Sequence, residues 1–179
     1  MHKLAILTGI IFTAALTRLL PHPMNFSPIA AMALFGGAYF GKRSTALLIP
    51  LASLWFSDLV LNNTIYASFY KEFTWITPSF YWSYGVFALL ALAGMRFLQQ
   101  PTTSRVLGSS VIASLVFFLV SNFGVWLESG MYPKTGTGLT ACYAAGLPFL
   151  SNTMMGDLLY TGVLFGVYQW IQNKYLVKA

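Results

Sequence analysis

The chain has 179 residues, of which 57% are hydrophobic and only 8% are charged, against roughly 25% charged in an average soluble domain. Ten basic and four acidic side chains are too few to cover a water-soluble fold of this length, so the composition excludes an ordinary soluble enzyme. The net charge of +6 comes from residues scattered beside apolar runs, which excludes a nucleic-acid surface, and the single Cys142 excludes an internal disulfide or a cysteine-based zinc site.

A membrane helix needs about 20 largely apolar residues, and the first such run covers about residues 4–20. Lys3 ahead of it resembles the start of a secretory signal, but five further apolar segments follow, so the run reads as a first membrane helix. Arg18, His22 and Asn25 fall in the connection after it, stiffened by Pro21 and Pro23. The next segment, about 28–41, is apolar but short, and suits a tilted or partly re-entrant helix inside a bundle.

A third helix over about 45–62 closes on Ser57, Asp58 and Asn62. Aromatics crowd the following connection and the start of a fourth helix over about 80–98, with Trp75, Phe80, Tyr81, Trp82 and Tyr84 in sequence. A fifth helix, about 106–127, ends on Asn122, Trp126 and Glu128. The stretch 128–147 is rich in Gly and Thr and reads as a long mobile lid. A sixth helix, about 148–171, carries Asn152 and Asp157. The expected fold is therefore all-α: one membrane domain, residues 1–179, of six transmembrane helices in a compact bundle.

Charge sets the expected direction. With both termini in the cytoplasm, the inner side holds Lys3, Lys42, Arg43, Arg96, Arg105, Lys174 and Lys178, and the outer side holds Arg18, Lys71 and Lys134. That distribution obeys the positive-inside rule. Under this topology the polar residues gather at the outward helix ends, with no comparable set in the inner halves. Asp58 and Asn62, Asn122 and Trp126, and Thr153 and Asp157 are each four apart and share a helix face. An ionisable residue inside a span faces a partner or a cavity. The expected binding residues are His22, Asn25, Asp58, Asn62, Trp82, Tyr84, Asn122, Trp126, Asn152 and Asp157, around an outward-facing pocket. The competing reading makes each a satisfied structural group, with Arg18 the natural partner for Asp58, and makes the aromatics an interfacial belt.

Small residues recur at four-residue spacing in Ala5 and Gly9, Ala33 and Gly37, and Gly162 and Gly166. Such pairs allow close helix packing within the bundle or against a partner subunit. No phosphate loop, HExxH, GxSxG or CxxC motif is present, and two histidines are too few for a histidine-rich metal site. A mixed metal site from His22, Asp58 and Asp157 is a minor alternative.

Three strings carry a likeness: Arg18-Leu-Leu-Pro-His-Pro-Met-Asn-Phe-Ser-Pro-Ile-Ala-Ala-Met-Ala-Leu-Phe-Gly-Gly, Ser121-Asn-Phe-Gly-Val-Trp and Leu147-Pro-Phe-Leu-Ser-Asn-Thr-Met-Met-Gly-Asp. With them the chain resembles a bacterial branch of the S components of energy-coupling factor (ECF) vitamin transporters, over nearly its whole length. The resemblance implies a substrate-binding protein of the cytoplasmic membrane rather than an enzyme, with no resident cofactor. Its ligand would be a vitamin-like small molecule, and its partners a coupling transmembrane subunit and ATPases. Docking in that family uses small residues of the first helix, and Ala5 and Gly9 stand at that place here. A corrinoid is the first candidate ligand, with His22 or Cys142 as a ligand to its cobalt. The alternatives are a membrane-embedded enzyme using His22, Asp58 and Asp157, and an assembly subunit that binds no ligand.

Overall fold

The computed structural model describes residues 2–70 and 72–176; Lys71 and Lys178, both counted in the charge argument, lie outside them. Six α-helices account for most of the described chain: α1 (His2–Leu16), α2 (Ile29–Tyr39), α3 (Arg43–Asn63), α4 (Phe80–Phe97), α5 (Thr103–Glu128) and α6 (Gly136–Ile171). There is no strand among the described residues. Three helices, α3, α4 and α5, are long and apolar enough to cross a membrane. Their apolar surface points away from the protein: only 22% of the most apolar stretch of α5 is buried, and Ile112 and Leu119 stand more than half exposed. A water-soluble bundle would present polar side chains there.

The helix α2 is the axle of the bundle. Eight of its eleven residues are buried, Ala30 to Gly37 without a break. At about 1.5 Å per residue it is far shorter than the roughly 30 Å hydrocarbon core, as its short apolar run predicts. Its small residues let neighbours come close. A Cβ on Gly94 of α4 would lie 2.7 Å from the Leu34 carbonyl oxygen, and one on Gly37 would run into the Ala91 carbonyl. Gly36 faces Pro50, which lies buried inside α3, where a Cβ on Gly36 would sit 2.6 Å from the proline ring. On the side facing α6, Phe35 meets Phe165 and Tyr168 edge-on at centroid distances of 5.4 and 5.7 Å.

Successive helices alternate in direction, so the bundle has two unlike ends. The loop end carries residues 17–28, 64–70, 72–79 and 129–135. The basic end carries Lys3, Lys42, Arg43, Arg96, Arg105 and Lys174.

Two boundaries differ from expectation. The first helix stops at Leu16, and residues 17–19 tighten into a 3₁₀ turn that aims Arg18 inward, with Thr17 Oγ1 donating to the Ala14 carbonyl at 2.7 Å. The expected lid over 128–147 is mostly helix. The α6 helix starts at Gly136, leaving a connection of only residues 129–135. Thr135 caps it by accepting the Gly138 N–H at 3.2 Å. The glycines that suggested mobility serve two other purposes. Gly130 takes the turn at φ 69°, while Gly138 and Gly146 lie against the Pro133 carbonyl and the Asn122 side chain. Pro148 is accommodated within the helix rather than starting it.

Candidate functional site

At the loop end, residues 17–28 fold back over the bundle. Phe26 N–H donates to the Pro23 carbonyl at 3.1 Å to close a turn, with Asn25 at φ 63°, a left-handed conformation that Asn tolerates better than most residues. The ring of His22 bridges the loop, Nδ1 lying 2.9 Å from the Pro23 carbonyl and Nε2 3.2 Å from that of Arg18. Asn152 of α6 ties the loop down by donating to the Met24 carbonyl at 3.1 Å. Gly156 completes the seat: a Cβ there would lie 2.8 Å from the Ser27 backbone nitrogen.

Beneath this loop lies a cavity of about 160 Å³, walled by Arg18, His22, Asn25, Ser27, Thr153 and Asp157 together with Ile29, Leu61, Tyr66, Phe87 and Phe117. A second cavity, of about 340 Å³, adjoins it between α5 and α6 and shares Asn25, Phe117 and Thr153 with the first. Asn122, Tyr132, Cys142, Phe149 and Gly146 are among its other walls.

The floor of the first cavity is polar. Asp157 is 2% exposed and accepts one hydrogen bond, from Ser114 Oγ at 2.6 Å. Below it, Thr161 Oγ1 donates to Ser110 Oγ at 3.2 Å, so the polar column continues toward the basic end. No cationic side chain pairs with Asp157 among the described residues, since the one ion pair there joins Arg18 to Asp58. Ser27 Oγ is buried at the same cavity with no hydrogen-bond partner among the described residues. A buried carboxylate and an unpaired hydroxyl each cost free energy until a partner arrives.

Several expected site residues hold the cup together instead of lining it. Asp58 is consumed by Arg18, Nη2 to Oδ1 at 2.7 Å, and by the Tyr84 hydroxyl, which donates to Oδ2 at 2.7 Å. Arg18 also donates to Ser57 Oγ, so its guanidinium is fixed with one side toward the cavity. Asn62 is buried outside either cavity, next to the wall residue Leu61. The ring of Trp82 lies over Gly124 and meets Phe123 edge-on. Trp126 clasps the 129–135 turn, its indole N–H donating to the Pro133 carbonyl at 3.0 Å while its own carbonyl accepts from Lys134.

His22, Asn25, Asn122 and Asp157 thus reach the cavities, and Asn152 acts through the loop. The residues not foreseen are Ser27, Phe87, Phe117 and Ser114, together with Arg18 as a wall. Ser110 and Ser114, four apart in an otherwise apolar run, are the legible signal among them.

Among the described residues no three His, Cys, Asp or Glu side chains come close enough to hold a metal ion. His22 and Asp157 share a cavity, but Asp58 faces its own partners. Cys142 is buried with Sγ 3.3 Å from the Asn122 carbonyl, in the second cavity rather than with His22. Ala5 and Gly9 are exposed on α1, and Gly9 borders an apolar groove against α6.

No curated protein matches this chain, and no solved structure matches it. Over residues 1–178 the sequence matches a family of unknown function, DUF6580, and the chain belongs to that family.

Proposed function

We propose that the protein is an integral membrane protein that captures a small, vitamin-like molecule in the cavity beneath residues 17–28 and delivers it across the membrane, in the manner of an ECF S component. Six crossings, both termini in the cytoplasm and the loop end facing outward would place the cavity mouth on the side from which a nutrient arrives. The observation that carries this reading is the buried Asp157 at the cavity floor, with Ser114 as its one hydrogen-bond donor and no salt bridge of its own among the described residues. Such a group gains most from a ligand that brings N–H donors or a positive charge. Phe87, Phe117 and Ile29 suit the ligand's apolar body.

Cavities of about 160 and 340 Å³ favour a ligand of one or two rings over a corrinoid. Both nitrogens of His22 already face carbonyls, and the thiol of Cys142 faces another, so neither is poised for cobalt. The enzyme alternative gains nothing here, because Asp58 is removed from the group it required.

The test is binding by the purified protein in detergent, with a panel of water-soluble vitamins and their precursors read by thermal shift and native mass spectrometry. At least one is expected to bind, and Asp157→Asn is expected to weaken it about tenfold or more, the loss of one charge-assisted hydrogen bond. A ligand bound equally well by Asp157→Asn, or none bound across the panel, would speak against the proposal.

A further inference from the structure

The basic end holds a second candidate site, unrelated to the first. Between the end of α4 and the start of α5 runs a groove of about 720 Å³, lined by Arg96 and Arg105 at its mouth and by Ala93, Phe97, Gly108 and Ile112 along its length. Small residues open it: a Cβ on Gly108 would meet nothing within 4 Å. Its walls face away from the protein, with Ile112 62% and Phe97 66% exposed. The volume is within the roughly 300–1,000 Å³ range of small-molecule sites.

From this geometry we infer that the α4–α5 groove binds one anionic phospholipid, its phosphate between Arg96 and Arg105 and an acyl chain along Gly108 and Ile112. Charge complementarity selects this occupant. Neither guanidinium meets a carboxylate among the described residues, whose one ion pair is Arg18–Asp58. The partner Arg105 does have is the Gln100 carbonyl, at a long 3.5 Å. All four acidic residues of the chain, Asp58, Glu72, Glu128 and Asp157, lie at the loop end or in mid-bundle. The start of α5 adds the partial positive charge of a helix N-terminus on the same side as the arginines. An apolar groove opening laterally, with cations only at its mouth, matches a molecule with one anionic head and an apolar tail.

The experiment is native mass spectrometry of the full chain with phosphatidylglycerol or phosphatidylcholine of identical acyl chains. Phosphatidylglycerol is expected to be retained about tenfold better, and Arg96→Gln with Arg105→Gln to bring the two lipids level. Lys42→Gln with Arg43→Gln removes the same charge from the same end, away from the groove, and is expected to leave the preference intact. Gly108→Leu fills the groove where there is room, and is expected to lower retention of phosphatidylglycerol with both arginines present. Three results would overturn the inference: equal retention of the two lipids by the native chain, a preference that survives loss of both arginines or falls equally with the Lys42 and Arg43 pair, or full retention by Gly108→Leu. So would competition by soluble glycerol 3-phosphate as strong as that by the lipid, which would indicate a site for the head group alone.

Discussion

Two aspartates near the loop end illustrate how differently one residue type is used. Asp58 is saturated by Arg18 and Tyr84 at 2.7 Å each, and Asp157 is left with Ser114. The first belongs to the scaffold, the second to the chamber. Asp58→Asn is therefore expected to lower stability by about 1–3 kcal/mol in thermal unfolding in detergent. Combined with Arg18→Gln, the loss should fall short of the sum of the two single changes, because they remove one shared interaction. Strict additivity would mean that the pair is not coupled. The spacing of Thr153 and Asp157 made their common face readable, and both line the cavity. The competing reading names Arg18 as the natural partner of Asp58, and the pair is made, Arg18 reaching Asp58 where α1 gives way to a 3₁₀ turn. Ser27 was not legible in the sequence, and Ser114 only through its four-residue spacing from Ser110. A hydroxyl carries no charge to betray it in an apolar run, and a loop residue has no periodicity.

Among the elements, α2 was the most legible and α6 the least. Thirteen or so apolar residues without charge can only be a buried helix or a short strand, and the glycines of α2 and α4 settle how closely it packs. Gly94→Val is expected to be the most damaging single change on α4, since its side chain would enter the Leu34 carbonyl from 2.7 Å. A loss of about 2–4 kcal/mol, or failure to accumulate in the membrane, is the expected outcome, with Gly85→Val on the open side of the same helix as the control. Similar behaviour of the two variants would remove α2 from its central role. The start of α6 was misread because Gly and Thr signal both mobile loops and close-packed membrane helices. Only the packing partner decides, and here the partners of Gly138 and Gly146 are Pro133 and Asn122.

At the scale of the whole molecule the dominant feature is polarity of charge. Every basic side chain of the described residues except Arg18 and Lys134 belongs to the basic end, and every acidic one lies elsewhere. If that end is cytoplasmic, a cysteine introduced at Gln100 should be shielded from a membrane-impermeant maleimide in intact cells, and one introduced at Glu72 should react. The background for both is Cys142→Ser, although the native thiol, 2% exposed, is itself expected to stay unreacted until the protein is unfolded. The reverse pattern would invert the molecule and close the capture route.

The length of α6 bears on how the protein sits in its surroundings. Its 36 residues rise about 54 Å, well beyond the roughly 30 Å thickness of a bilayer's hydrocarbon core. In the six-crossing arrangement proposed above, the turns before Pro148 would lean steeply or stand in the head-group layer as a parapet beside the cavity mouth. In either case lipid tail length would become a variable of the protein's chemistry: a thinner bilayer would lift the parapet into water, and a thicker one would draw it into oil.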